Sequence, residues 1–127
     1  MAVAIKSLDD LRVYQEALEA GEAVFAILSH DRFRKDPRFC ELLAQAAARV
    51  SACIGDGFGP LSDRRVAELL GDARRACADV RACLSIARRR CYITEEQSGG
   101  TGERYERIAR LLTHLIQELR TSNGIKG

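Results

Sequence analysis

Phe39, Leu43, Ala46, Val50, Cys53 and Gly57 follow one another by four, three, four, three and four residues. Heptad spacing of this kind puts them on one stripe of a helix, the pattern of a helix packed in a bundle. The rest of that helix's circumference constrains the chain even more. Between Leu42 and Gly55 the only charged residue is Arg49, and the far side carries Gln45, Ala48, Ser51 and Ala52. A bundle helix that faces water keeps a charged face; this one has almost none. It is expected to be covered twice, by its own bundle and by a neighbouring subunit. Gln45, Ala48, Arg49 and Ala52, with Gly57 and Gly59 at the helix end, are therefore the candidate oligomer contacts.

A chain of 127 residues fits one domain. At that length folding buries roughly two-thirds of the unfolded surface. Two prolines among abundant alanine and arginine favour helix. The net charge of +2 supplies no global field for nucleic acid, so any basic site must come from local clustering. Cys40, Cys53, Cys77, Cys83 and Cys91 are odd in number and contain no CxxC pair. Residues 1–10, MAVAIKSLDD, are too short in their apolar part for a secretory leader. Reduced thiols in the cytoplasm, serving mostly as small core residues, are the expectation.

Taken in order, Ser7 with Asp9 and Asp10 reads as a helix cap with acid in the first turn. Leu11, Tyr14, Leu18, Gly21, Phe25 and Leu28 then form the expected buried seam of a first helix. Asp36-Pro37 starts the second helix, and the GDGFGP run at residues 55–60 ends it, where glycines permit positive φ and Pro60 forbids continuation. Asp56 opposes the macrodipole there, so it either has a basic or backbone N–H partner or is simply solvated. Ser62 caps a third helix with the seam Val66, Leu70, Ala73, Cys77, Val80, Leu84 and Ala87. Thr94-Glu95-Glu96-Gln97 is a capping box for a fourth. The glycine-rich stretch from Ser98 to Gly102 is expected to fray, kink or loop, with regular helix resuming by Glu103. The seam of that helix is Tyr105, Ile108, Leu112, Leu115 and Leu119. The predicted helices span about 8–29, 37–56, 63–90 and 95–121, with a disordered tail at about 122–127. Joined by short links, they make a single-domain, all-α, up-down-up-down four-helix bundle.

No enzyme class finds its residues here. A bundle di-metal site needs inward Glu-x-x-His pairs, and none occurs. His30 falls in a connection and His114 beside a seam, so neither has an obvious ligand partner. GDGFG ends a helix, whereas a nucleotide loop follows a strand and opens one. Cys91 follows three arginines that would favour its thiolate, but a plain structural cysteine is the simpler reading. No cofactor and no metal is expected. Arg74, Arg81 and Arg88 are each seven apart and form one stripe, separated by Ala78 and Ser85, with Arg89 beside it. Repeated around an oligomer, such stripes would track a phosphate backbone of RNA or DNA. Glu68, Asp72 and Asp79 on the adjoining stripe argue instead for an ordinary solvated face.

The run Leu11-Arg12-Val13-Tyr14-Gln15-Glu16-Ala17, the segment from Ala48 to Gly59, and Tyr92-Ile93-Thr94-Glu95-Glu96 carry a resemblance. Together they resemble the bacterial four-helix bundle proteins found as open reading frames in intervening sequences of 23S rRNA genes. The likeness runs from about Leu8 to Leu119. Asp56 stands where the family has Glu, Gly55 where it has Ala, and Pro60 where it usually has a basic residue. The Ser98–Gly102 stretch replaces a helical one. The resemblance implies a cytosolic homo-oligomer, with rings of five bundles, and no catalytic residues. It also implies kinship with the nucleic-acid-binding accessory protein of diversity-generating retroelements. Two readings result: a non-enzymatic structural or adaptor assembly with an unknown protein partner, or a nucleic-acid-binding accessory protein using its arginine stripes.

Overall fold

The computed structural model describes residues 8–122, and the side chains of 12–121. The cap at Ser7, the side chains of Asp9, Asp10 and Leu11, the N-terminal residues before Leu8 and the tail beyond Ser122 lie outside the described residues. Four helices make the fold: α1 (Leu8–Leu28), α2 (Pro37–Asp56), α3 (Asp63–Arg89) and α4 (Glu95–Ser122). A short 3-10 helix, Asp31–Lys35, links the first two. α1 packs on α2 and α4, and α3 packs on α2 and α4, which closes the cycle of an up-down-up-down bundle. Among the described residues there is no strand, and no helix is long and apolar enough to cross a membrane.

The helix starts follow the local chemistry. Pro37 occupies the first turn of α2, and the Asp36 carboxylate accepts the Phe39 N–H at 3.3 Å. The Ser62 hydroxyl accepts the Arg65 N–H at 3.2 Å at the head of α3. Thr94 and Gln97 satisfy each other's backbone N–H groups, at 2.9 and 3.1 Å, as a complete capping box. α3 ends in a Schellman motif: Tyr92 N–H donates to the Ala87 carbonyl and Cys91 N–H to the Arg88 carbonyl. Cys91 takes the left-handed position with φ 63°, where glycine is usual.

The seams read for α3 and α4 are buried along their whole length, as are Phe39, Leu43, Ala46 and Val50 of α2. α1 is different. Its buried row is Val13, Ala17, Ala20, Val24 and Ile27, one residue out of step with the predicted seam. Leu18 is 41 % exposed and Phe25 68 % exposed, while Tyr14 and Leu28 are half-buried. α1 carries two adjacent apolar rows, and the row with alanine at its centre is the one that fits between α2 and α4. The bulkier row is left outside.

Two other expectations are corrected. Gly57 has φ −69°, in the right-handed region, so α2 does not end through positive φ. Its glycines are selected by space: a Cβ on Gly55 would lie 3.3 Å from the Tyr14 ring, and one on Gly57 would lie 3.2 Å from the Ile54 carbonyl oxygen. Tyr14 fills that corner with Phe58, edge to face at 5.3 Å between ring centroids. The Ser98–Gly102 stretch is helical, not looped. The capping box fixes its first turn, the Ser98 hydroxyl donates to the Leu84 carbonyl of α3 at 3.4 Å, and Thr101 is buried. These anchors offset the cost of glycine in a helix, about 1 kcal/mol each.

A Cβ added at Gly99 or Gly100 would meet nothing within 4 Å. Gly99→Ala and Gly100→Ala are each expected to stabilise the fold by about 0.5–1 kcal/mol, read as a raised urea midpoint. No gain in the double variant would mean that this turn is not helical in solution.

Candidate assembly surface

The outward side of α2 is built mostly from small and uncharged residues, with Arg49 among them, and is exposed in the single chain. Ala44, Gln45, Ala48 and Ala52 are exposed or half-buried, and Arg49 is exposed. Gln45 donates to the Glu41 carboxylate at 3.3 Å. On either side of this face lies a groove. The one between α1 and α2 encloses about 260 Å³ and is lined by Leu18, Gly21, Glu22, Phe25, Ala44 and Ala48, among others. The one between α2 and α3 encloses about 390 Å³ and is lined by Leu42, Gln45, Arg49, Asp79, Cys83 and Ile86, among others. Leu18, Phe25, Leu42 and Ile86 are the exposed large hydrophobic residues of the described chain, and each of them borders one of these two grooves.

Of the predicted oligomer contacts, Gln45, Ala48, Arg49 and Ala52 share this open side of the helix. Gly57 is buried beneath its own bundle, close to Ile54 and Val66, and Gly59 is half-buried in the following turn. The outward placement of Leu18, Phe25, Leu42 and Ile86 was not read from the sequence. The signal for the first two was present in the sequence: the row Val13, Ala17, Ala20, Val24 and Ile27 is already a complete seam, so a second row on α1 was in excess. Asp56 is exposed, and no described side chain pairs with it.

The arginine stripe is not uniform. Arg74 is half-buried and donates to the Thr113 hydroxyl of α4 at 3.1 Å, which makes it a tie between two helices. Arg81, Arg88 and Arg89 are exposed, and no described acid lies in ion-pair contact with them. At this end of α3 a network joins the α1–α2 link to the α3–α4 link. Asp36 accepts from the Tyr92 hydroxyl at 2.8 Å and from the Arg90 guanidinium at 3.1 Å. Arg32 donates to the Cys91 carbonyl at 2.8 Å. Phe33 sits fully buried beneath, with Phe39 and Tyr92 against it at 6.2 and 5.2 Å between ring centroids. Arg90 lies over the Phe39 ring.

The Tyr92 hydrogen bond is the largest influence on Asp36; with Phe39 N–H and Arg90, and against an opposing effect of burial, it holds the carboxyl below its ordinary value of 3.8. The same bond pushes the Tyr92 hydroxyl up. Burial raises the thiols of Cys40, Cys53 and Cys83, and takes Cys77 to about 12. These four are protonated packing groups at neutral pH. His30 faces the Gln97 amide at 3.1 Å. Among the described residues no group of His, Cys, Asp or Glu is placed to hold a metal ion.

This is a helical bundle with an apolar groove open on either side of α2. Residues 9–114 match the family model of the 23S rRNA-intervening sequence protein, and the chain belongs to that family. No curated protein and no solved structure matches it.

Because Asp36 has a lowered pKa in the fold, its contribution to stability is fully present above the ordinary carboxylate value and is lost as pH falls through the folded one. Urea unfolding followed from about pH 6 to about pH 3 should show an acid limb that is shallower in Asp36→Asn, which keeps the cap but cannot titrate. An unchanged limb would remove Asp36 from the acid response.

Proposed function

We propose that the protein is a non-enzymatic homo-oligomer of the cytoplasm, five copies in a ring joined over the outward face of α2, acting as a structural or adaptor assembly for a protein partner. The observation that carries this reading is the placement of Leu18, Phe25, Leu42 and Ile86 around a single helix. Contiguous apolar surface rimmed by polar residues marks an interaction site on a soluble chain. The ring of five follows the family resemblance. The five cysteines are free thiols in the fold, which supports a compartment where thiols stay reduced.

Ala48→Glu places a charge in the middle of this face without touching the core. The expected result in multi-angle light scattering is a fall from a multiple of the chain mass to the single-chain 14.0 kDa. An unchanged multiple would overturn the assignment of this face.

A second reading, nucleic-acid binding, is favoured by one observation: Arg81, Arg88 and Arg89 are exposed along α3 with no described acid in ion-pair contact. Titration of fluorescent RNA and DNA at several salt concentrations tests it. On this reading Arg81→Ala, Arg88→Ala and Arg89→Ala together lower affinity and flatten the salt slope by about one unit for each phosphate no longer neutralised. Arg74→Ala, tied to Thr113, has the smaller effect. Absence of binding at low salt would eliminate this reading.

A further inference from the structure

We infer that His30 and Gln97 form a proton-sensitive latch, which holds the α1–α2 link against the first turn of α4 while the imidazole is neutral and releases it when the ring takes up a proton. The backbone fixes the sign. Thr94 N–H can only donate, so the Gln97 side-chain atom 2.9 Å from it is the carbonyl oxygen Oε1. The amide nitrogen Nε2 of Gln97 is then the atom that faces Nε2 of His30, at 3.1 Å. An amide nitrogen donates and does not accept, so the imidazole nitrogen opposite is the acceptor. The His30 ring is therefore neutral and carries its proton on Nδ1.

Protonation puts a second donor on His30, and two N–H groups then face each other. Turning the Gln97 amide over gives no relief, because its nitrogen would meet the Thr94 N–H and the capping box would be lost. The imidazolium has to leave Gln97. The contact lies between the two walls of a cavity of about 380 Å³, with His30, Asp31 and Arg32 on one side and Tyr92, Thr94 and Gln97 on the other. Its charged groups do not reverse the sign. Asp31 pairs with Arg34 at 3.7 Å, and Arg32, of opposite charge, donates to the Cys91 carbonyl at 2.8 Å. The Tyr92 hydroxyl is taken by Asp36. Glu95 and Glu96 belong to the first turn of α4 but do not line the cavity. The Arg32–Cys91 and Tyr92–Asp36 bonds involve no histidine, and the Asp36 carboxyl is held below its ordinary value of 3.8. The proton thus frees one edge of the link while the rest of the bundle end stays tied.

Two measurements on the full chain test the latch. In long-range proton–nitrogen NMR spectra at about pH 8, above the range in which histidine titrates, His30 should carry its proton on Nδ1 and leave Nε2 bare. His30→Ala distinguishes its signals from those of His114. A ring protonated on Nε2 would overturn the proposal. The second measurement is urea unfolding between about pH 8 and about pH 5.5, the span of the histidine charge change. Each chain is compared with its own His30→Ala counterpart, so that titration of His114 cancels. A bond made only by the neutral ring is present at high pH and lost as pH falls. In the wild type the folded-to-unfolded ratio contributed by His30 should therefore drop by roughly two- to tenfold, the worth of one hydrogen bond. Gln97→Glu keeps an acceptor for the Thr94 N–H but presents a carboxylate to the ring, so its ratio should rise over the same range. A wild-type ratio that does not drop, or a Gln97→Glu ratio that does not rise, would overturn the latch.

Discussion

A helix in a four-helix bundle buries one stripe of its surface, and α1 carries two. The inward row has alanine at 17 and 20, which lets α1 settle between α2 and α4. Choosing that row shapes the outer side of the molecule. It turns Leu18 and Phe25 outward beside α2, whose exposed residues there are mostly small or uncharged. Full burial of a Leu or Phe side chain is worth about 1.5–3 kcal/mol. With Leu18 and Phe25 exposed, the single chain leaves part of that free energy unrealised.

The opposite demand is met at the end of the bundle, where two connections have to be held against each other. Phe33, from the link between α1 and α2, is buried against Phe39 and Tyr92. Around it, Asp36, Arg90, Tyr92 and Arg32 make hydrogen bonds that span more than fifty residues of sequence. Asp36 serves twice, capping α2 and accepting from the α3–α4 link. Arg90 is thereby committed to the fold, as Arg74 is through Thr113. Arginines that look equivalent in a heptad stripe thus divide into structural ties and free surface charges.

Much of the fold was legible because its signals are local. Asp36-Pro37, Ser62 and the Thr94–Gln97 box each act within one helical turn, so the residues that start a helix lie beside its first N–H groups. The seams of α3 and α4 were legible because each has a single unbroken apolar row. α1 misled because it has two, and periodicity cannot rank rows of equal spacing. The Ser98–Gly102 stretch misled for another reason: its propensity is poor, but contacts with α3 from Ser98 and the burial of Thr101 override propensity.

The sequence by itself determined that four helices form, with the caps of α2, α3 and α4 where they are, and that α2 has few charges on its outward side, since these depend on residues adjacent in the chain or on one helical surface. Only the tertiary structure decided which row of α1 turns inward, that Gly55 yields room to Tyr14, and that Leu18, Phe25, Leu42 and Ile86 converge on the two sides of one helix. Those outcomes depend on how closely neighbouring helices approach, and that distance is set by side-chain volumes on several helices at once.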